Sequence, residues 1–226
     1  AGATISTGAR IQKLDRQKSR WTLRTDQGVV TADTVILATN AYTDTLWPRL
    51  EKTVVMIDYF QIATKPLEER AMKILPGGQG LWDTGAIMLS LRRDAYQRLI
   101  IGSMGRVFGG NNGLSVRWAA RMLRRLFPDI GNVEFDAAWH GKIAMTPDRL
   151  PRIYRLADGL YTPIGYNGRG ITTGTIFGKA LAGFLAGAQE DELPLPVSEP
   201  RTVIGAPIIS SLYDVAFKAN QFLKSL

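Results

Sequence analysis

Gly165-Tyr-Asn-Gly-Arg-Gly170, followed by the apolar segment Ile171–Ala188, is the stretch that decides the fold of this 226-residue chain. Its glycines stand where a strand passes into a long helix, and without side chains they let a ligand approach the backbone amides. The helix directs unpaired N–H groups and partial positive charge to the same point. We therefore predict a site for a phosphate or an anionic ring. A tight turn beside a closely packed helix is the alternative, because the pattern is neither Gly-x-Gly-x-x-Gly nor a Walker loop.

The helix carries a second glycine pattern. Gly170, Gly174 and Gly178 recur every four residues, which places them on one helix face. The absence of side chains along that face predicts that another backbone packs closely against it.

The first 45 residues indicate short strands. A turn at Asp26-Gln-Gly28 between alternating segments favours a hairpin. Thr34–Ala38 is a continuous apolar run, typical of a strand buried on both faces, and ligands bind at the carboxyl end of such strands in open α/β sheets. The other predicted strands here are Ala3–Ser6, Ala9–Leu14, Trp21–Thr25 and Val29–Thr31.

The middle of the chain has a different pattern, which predicts an antiparallel sheet with helices. A short helix after Lys65-Pro66 reaches Lys73, and Leu114–Phe127 is amphipathic, with its arginines on the solvent face. An amphipathic helix over Ile208–Leu226 closes the chain. The predicted strands are Thr53–Ala63, Gly85–Leu91, Gln97–Ser103 and Val133–His140.

Composition excludes several kinds of chemistry. Cysteine is absent and histidine occurs once, which excludes disulfides, a cysteine nucleophile and multi-histidine metal sites. A cofactor is therefore the expected source of chemistry, and no metal is expected. The net charge is +8, but the basic residues are scattered and no nucleic-acid-binding motif accompanies them, so we expect no nucleic-acid partner. Charged residues interrupt every apolar run, which predicts no membrane span and favours a cytoplasmic protein.

Four segments together resemble the FAD-dependent oxidoreductases of the D-amino-acid oxidase type, among which the gamma-glutamylputrescine oxidases look most similar. They are Gly2–Leu14, Ala32–Asn40, Trp139–Pro151 and Gly165–Gly170. In that family they would be the adenine-contacting strand, the strand and turn near the pyrophosphate, the stretch at the substrate cavity and the late flavin-binding loop. Asn40 stands where the family usually has glycine.

The resemblance implies a site. The cofactor would be FAD, held non-covalently because the chain has no cysteine, and the substrate would be a small-molecule amine or amino acid that transfers a hydride to flavin. Arg169 and Trp139 would be the catalytic residues. Substrate-binding residues would be Tyr59, Arg92, Trp139 and Tyr166. Cofactor-binding residues would be Ile11, Ala38, Thr39, Asn40, Gly165, Asn167, Gly168, Arg169, Gly170, Ile171 and Thr172.

The family's Gly-x-Gly-x-x-Gly fingerprint does not occur in these residues. The sequence begins Ala-Gly-Ala-Thr-Ile, with no initiator methionine or basic leader. We therefore expect a piece of a longer flavoprotein, partnered by a missing N-terminal FAD-binding segment or subunit. The alternative function is a non-catalytic fragment or subunit that cannot bind FAD alone.

These patterns predict a mixed α/β fold with an incomplete Rossmann-like FAD domain and an antiparallel-sheet substrate domain. Residues 1–45 and 149–190 would belong to the FAD domain, and residues 46–148 to the substrate domain. Residues 191–226 would form a C-terminal tail that packs back on one of them.

Overall fold

The computed structural model describes residues 2–67, 69, 73–110 and 113–225. The chain divides into two compact units, each built from two separated segments: unit 1 comprises residues 1–55 and 143–206, and unit 2 comprises residues 56–142 and 207–226. The predicted tail is therefore not one element, because its first part belongs to unit 1 and its helix to unit 2. The fold is mixed α/β with several antiparallel strand pairs, as the sequence predicted.

The described residues form twelve strands and three α-helices. The strands are β1 (Ile11–Gln17), β2 (Arg20–Thr25), β3 (Val29–Ala32), β4 (Val35–Ile36), β5 (Val55–Thr64), β6 (Leu81–Trp82), β7 (Leu89–Arg93), β8 (Leu99–Met104), β9 (Phe135–Met145), β10 (Arg152–Ala157), β11 (Leu160–Ile164) and β12 (Val197–Ser198). The α-helices are α1 (Leu114–Leu126), α2 (Gly170–Leu185) and α3 (Ala206–Ser225). Short 3-10 helices cover Asn40–Tyr42, Leu50–Thr53, Pro128–Ile130 and Glu190–Glu192.

Unit 1 contains two sheets. Strands β1, β2 and β3 form an antiparallel sheet, and the second sheet has the order β12-β10-β11-β4, with β4 and β12 parallel to their neighbours. Helix α2 packs through Phe177 and Leu181 on Ile153 of β10. The buried Trp21 joins the sheets, because its indole Nε1 donates to the Asp158 carbonyl at 3.1 Å.

Unit 2 is a five-stranded sheet, ordered β6-β7-β8-β5-β9, with one face covered by α1. Trp118 of α1 is buried and meets Phe60 edge-on, with ring centroids 5.1 Å apart. The α1 arginines are exposed, which confirms the predicted amphipathic helix; they are Arg117, Arg121, Arg124 and Arg125.

Helix α3 is docked on unit 2 through one face. Phe217 and Gln221 are buried, and the Gln221 amide accepts from Ser115 Oγ at 2.8 Å and donates to the Arg106 carbonyl at 3.1 Å. Arg106 in turn donates to the buried Asp58 carboxylate at 2.5 Å and lies 3.5 Å from Asp214 of α3.

Several predicted elements differ from the structure. Ala3–Ser6 forms no strand, since no neighbouring strand supplies hydrogen bonds to it. The predicted strand Thr34–Ala38 is reduced to β4, and Ile36 is 40% exposed, so burial on both faces is wrong for this strand. Strand β7 starts at Leu89 rather than Gly85, because Gly85 lies in a loop turned by Asp83, whose Oδ1 accepts from Gly85 N at 3.3 Å and Leu89 N at 2.9 Å. The short helix ending at Lys73 lies largely outside the described residues. None of the described helices is long and apolar enough to cross a membrane.

Candidate functional site

The Gly165–Gly170 loop follows β11 and leads directly into α2, as the glycine pattern predicted. Gly165 is buried and has a φ of +78°. A Cβ at this position would lie 2.5 Å from Thr146 Cγ2, far inside van der Waals contact. Glycine is therefore required here by both the backbone conformation and the neighbouring threonine.

Two asparagines hold the loop in place. Asn40 Oδ1 accepts a hydrogen bond from Gly165 N at 3.0 Å. Asn167 Nδ2 donates to the Gly165 carbonyl at 2.6 Å, and its Oδ1 accepts from Thr146 N at 2.9 Å. Asn40 and Asn167 have φ values of +45° and +53°, a region that asparagine tolerates better than most residues. The left-handed backbone at Asn40 explains how asparagine replaces the family's usual glycine.

The amino terminus of α2 is uncapped. Its N-cap residue, Arg169, makes no side-chain capping bond, and the first turn contains no acidic residue. The first amide of the regular helix ladder is Thr173 N, which donates to the Arg169 carbonyl at 3.1 Å. The preceding amides of Gly170, Ile171 and Thr172 are left without intrahelical acceptors at an exposed surface. These N–H groups and the helix dipole favour an anion at this point.

Arg169 adds a full positive charge to this helix terminus. Its side chain is exposed and makes no hydrogen bond or ion pair with any part of the chain that the structure describes. It is therefore available to an external anion. Gly168, beside it, has a φ of +83° and is also exposed.

Tyr166 covers part of the glycine face of α2. Its ring lies 3.7 Å from the Cβ positions of Gly170 and Gly174, and it meets Phe177 edge-on at 6.1 Å. Burial raises the pKa of Tyr166, so the phenol stays protonated at neutral pH. A tyrosine ring, rather than the predicted backbone, therefore packs on this face, and a Cβ at Gly178 would meet no other part of the described chain within 4 Å.

A second part of unit 1 forms an open cleft of about 710 Å³ between residues 9–14 and 39–46. It brings the predicted residues Ile11 and Thr39 together, while the predicted Ala38 lies beside it on the chain. The hydroxyls of Thr39 and Thr43 are buried and have no hydrogen-bond partner among the described residues. Buried hydroxyls without partners are rare in native proteins, so this cleft presents two polar groups suited to a bound molecule. Thr43 was missed by the sequence analysis, and no sequence signal distinguishes its burial.

Unit 2 presents the predicted substrate residues Tyr59 and Arg92 on the sheet face opposite α1. Tyr59 Oη and Ser90 Oγ are hydrogen-bonded at 2.6 Å, and Arg92 Nη2 donates to Gln61 Oε1 at 3.1 Å. Strand β8 lies between these partners. Burial raises the pKa of Tyr59, while the Ser90 bond and the positive charge of Arg92 oppose the shift.

Glycine on the central strand makes this arrangement possible. A Cβ on Gly102 would lie 2.6 Å from the Phe60 carbonyl and 3.0 Å from the Tyr59 ring. The long side chains of β5 therefore reach across β8 to β7. The sequence analysis missed Ser90, Gln61 and Gly102. These residues could have been found only from their alignment across neighbouring strands, which requires knowledge of the strand order.

Trp139 lies on β9, next to β5 in the sheet, and is exposed. No hydrogen bond or ring contact joins it to Tyr59 or Arg92 in the described part of the chain. The structure thus brings Tyr59 and Arg92 onto one face and leaves Trp139 as a separate exposed ring. Its role, like those of the other predicted site residues, stays a prediction.

Comparison with known proteins places these features in a family. The sequence profile of the family "FAD dependent oxidoreductase" (DAO) matches residues 1–183. The chain is 29% identical over 182 residues to the probable oxidoreductase OrdL of Rhizobium meliloti, covering 80% of this chain and 42% of that protein. It is 33% identical over 171 residues to the gamma-glutamylputrescine oxidoreductase of Escherichia coli, covering 74% of this chain and 40% of the relative.

The fold agrees with the sequence match. The crystal structure of glycine oxidase from Geobacillus kaustophilus superimposes with a TM-score of 0.62 at 19% identity, covering 80% of this chain and 49% of that one. The chain thus spans less than half the length of the curated relatives it matches. Since the family profile covers the Gly165–Gly170 loop, the Asn40 strand end and most of α2 in one continuous match, this chain belongs to the DAO family of FAD-dependent oxidoreductases.

Proposed function

We propose that this chain is part of an enzyme that uses FAD to oxidise an amine or an amino acid. The observation that carries the proposal is the uncapped amino terminus of α2, reached through a loop that Asn40 and Asn167 hold in shape. FAD brings negative charge in its pyrophosphate and, when reduced, in its flavin ring, and an uncapped helix terminus favours such charge. The E. coli relative and the glycine oxidase neighbour carry names that indicate amine and amino-acid substrates.

The residues present fit FAD. The amides of Gly170, Ile171 and Thr172 would donate to an anionic part of the cofactor, and Arg169 would add positive charge there. The buried Thr39 hydroxyl lacks a partner and would find one in the bound cofactor, on whose edge Ile11, Ala38 and Asn40 would lie. The Asn167 side chain is occupied by the loop, so it would support the site by fixing Gly165 against Thr146. Because these residues contain no cysteine through which flavin could be attached, we propose that the association is non-covalent.

Bound FAD would supply a hydride acceptor for the carbon next to the substrate's amine nitrogen, and water would hydrolyse the resulting imine. This chain's own residues would orient the amine and stabilise charge. Arg92, with Gln61 as its only described hydrogen-bond acceptor, would bind a polar or anionic part of the substrate. The protonated phenols of Tyr59 and Tyr166 would donate hydrogen bonds, and Trp139 would pack on the substrate.

The length of the chain and its lack of a dinucleotide-binding fingerprint indicate which further segment it would need. It spans 40–44% of the curated relatives, and it lacks a Gly-x-Gly-x-x-Gly hexad. We propose that retention of FAD requires a further segment or subunit that carries this fingerprint. A second candidate function follows from the same observation: this chain by itself would be a non-catalytic part of such an enzyme.

The test compares this chain with the complete product of its coding region. Each is purified, mixed with FAD and dialysed, and the flavin spectrum is recorded before and after anaerobic addition of a panel of amines and amino acids. We expect the complete product to retain flavin that one or more substrates bleach. A colourless complete product after dialysis refutes the proposal, and a flavin that no amine reduces refutes the substrate class. A colourless short chain beside a yellow complete product supports the need for the additional segment.

A further inference from the structure

Helix α3 has an apolar stripe that nothing in the described chain covers. Its members follow a strict alternation of four-residue and three-residue steps, namely Ile208, Leu212, Val215, Ala219 and Phe222. Leu223 extends the stripe on one side. The large side chains of the stripe and its extension are between 54% and 69% exposed. Single exposed apolar residues are ordinary, but a continuous stripe of this kind marks an interaction surface.

The stripe lies on the opposite side of α3 from the face that docks on unit 2. Phe217 and Gln221 are buried, and Ser210 Oγ donates to the Met56 carbonyl at 2.5 Å. These contacts hold the helix in place without using the stripe. The exposed residues therefore do not stabilise the helix on its own unit.

The family profile does not reach the stripe. The family profile ends at residue 183, whereas α3 covers Ala206–Ser225. No residue of the candidate site lies on α3. Its exposed face thus calls for a separate explanation from that of FAD binding.

We propose that this stripe pairs with the same stripe on a second copy of the chain, forming a two-helix dimer contact. A repeat of apolar residues at alternating steps of four and three is the pattern by which two helices pack as a coiled coil. The pattern is self-complementary, which a two-fold dimer requires. No charged residue belongs to the stripe, and Lys218 alone among the flanking residues at 209, 211, 216, 218 and 223 carries a charge.

The exposed area matches what such a pair needs. Five large side chains that are roughly two-thirds exposed offer on the order of 600 Å² in each copy, so pairing would bury about 1,200 Å² in total, above the roughly 1,000 Å² expected of a specific interface. The helix has 20 residues, which supplies almost three heptads of contact.

The test measures, by sedimentation at concentrations on the order of 1–100 μM, the mass of this chain and of the complete product of its coding region. We expect each to shift with concentration from its monomer mass, 24.9 kDa for this chain, towards twice that mass. Val215→Glu should weaken the dimer by about 100-fold, because it places a carboxylate in the middle of the apolar contact. Leu212→Lys provides an independent variant, and circular dichroism verifies that both remain folded. Tyr96→Glu is the matched control, since Tyr96 is 72% exposed but far from α3 in sequence.

Cross-linking supplies a second measurement, because the chain has no native cysteine. An equimolar mixture of Leu212→Cys and Val215→Cys should give a disulfide-linked dimer on mild oxidation, whether the two helices are parallel or antiparallel. Tyr96→Cys should give none. A monomer throughout the concentration range, either of this chain or of the complete product, overturns the proposal. So does an association that Tyr96→Glu disrupts as strongly as Val215→Glu, or a monomer whose α3 binds lipid vesicles instead.

Discussion

Replacing Gly165 by alanine tests the central feature of the candidate site, the loop before α2. Two penalties are expected. An alanine held at a φ of +78° costs about 1–2 kcal/mol relative to glycine. Its Cβ would also lie 2.5 Å from Thr146 Cγ2, and overpacking of this kind costs about 1–3 kcal/mol. We therefore expect Gly165→Ala to lower the free energy of unfolding by about 2–5 kcal/mol.

Urea denaturation, followed by tryptophan fluorescence and circular dichroism, measures the effect as a lower midpoint with an unchanged slope. The double variant Gly165→Ala with Thr146→Ser separates the two penalties, because serine lacks the clashing methyl group and keeps the hydroxyl that donates to the Leu150 carbonyl. The double variant should recover the free energy of unfolding that is lost to overpacking and retain the loss caused by the backbone conformation.

Gly178→Ala is the matched control. Gly178 lies in the interior of α2, and a Cβ there would meet no other part of the described chain within 4 Å, so alanine should stabilise the protein by about 0.5–1 kcal/mol. A Gly165→Ala protein within about 0.5 kcal/mol of the parent would refute this account of the loop. A double variant no more stable than Gly165→Ala would show that Thr146 is not the obstacle.

Three further changes test neighbouring features. Asn40→Gly keeps the left-handed backbone but removes the acceptor of Gly165 N, so it should destabilise by about 1 kcal/mol, whereas Asn40→Ala should cost about 2 kcal/mol in the same urea assay. Arg169→Ala should slow flavin reduction by substrate in the complete enzyme and leave the urea midpoint unchanged; an unchanged reduction rate removes Arg169 from the site. Partial burial raises the pKa of Asp94, but hydrogen bonds from Arg98 and from nearby amides outweigh it, so the net pKa is lowered from 3.8. A pKa that is lower in the folded protein than in the unfolded chain stabilises the fold at pH values above the unfolded pKa, and this stabilisation is lost as the pH falls through the folded pKa. Asp94→Asn should therefore cost about 1 kcal/mol at neutral pH and almost nothing in acid well below 3.8. A cost that stays constant across pH contradicts this assignment.

The local elements could be predicted from the sequence where one strong pattern was present. The amphipathic pattern of α1 placed its arginines correctly on the solvent face, because burial of Trp118 and Met122 decides the orientation of the helix. The glycine loop and the long apolar helix after it were also predicted, since Gly165–Gly170 interrupts two continuous apolar segments. In each case the deciding interactions lie within a short stretch of chain.

Interactions between distant residues could not be predicted. The hydrogen bond from Gly165 to Asn40 joins residues 125 positions apart, and no pattern in either segment indicates that the two meet. The same is true of Tyr59 and Ser90, which meet only because β8 lies between their strands and carries Gly102. The strand β10 was missed because Arg152–Ala157 mixes charged and apolar residues, and its pairing with β11 decides its structure.

The division of each unit into two distant segments has a consequence for how the chain is made. During synthesis residues 1–55 leave the ribosome long before residues 143–206, so unit 1 cannot complete its core until most of the chain has been translated. Trp21 illustrates the delay, because the carbonyl that accepts from its indole belongs to a residue 137 positions later. Until then the Trp21 indole lacks its acceptor, and unit 2 cannot complete its core any earlier, because it includes residues 207–226.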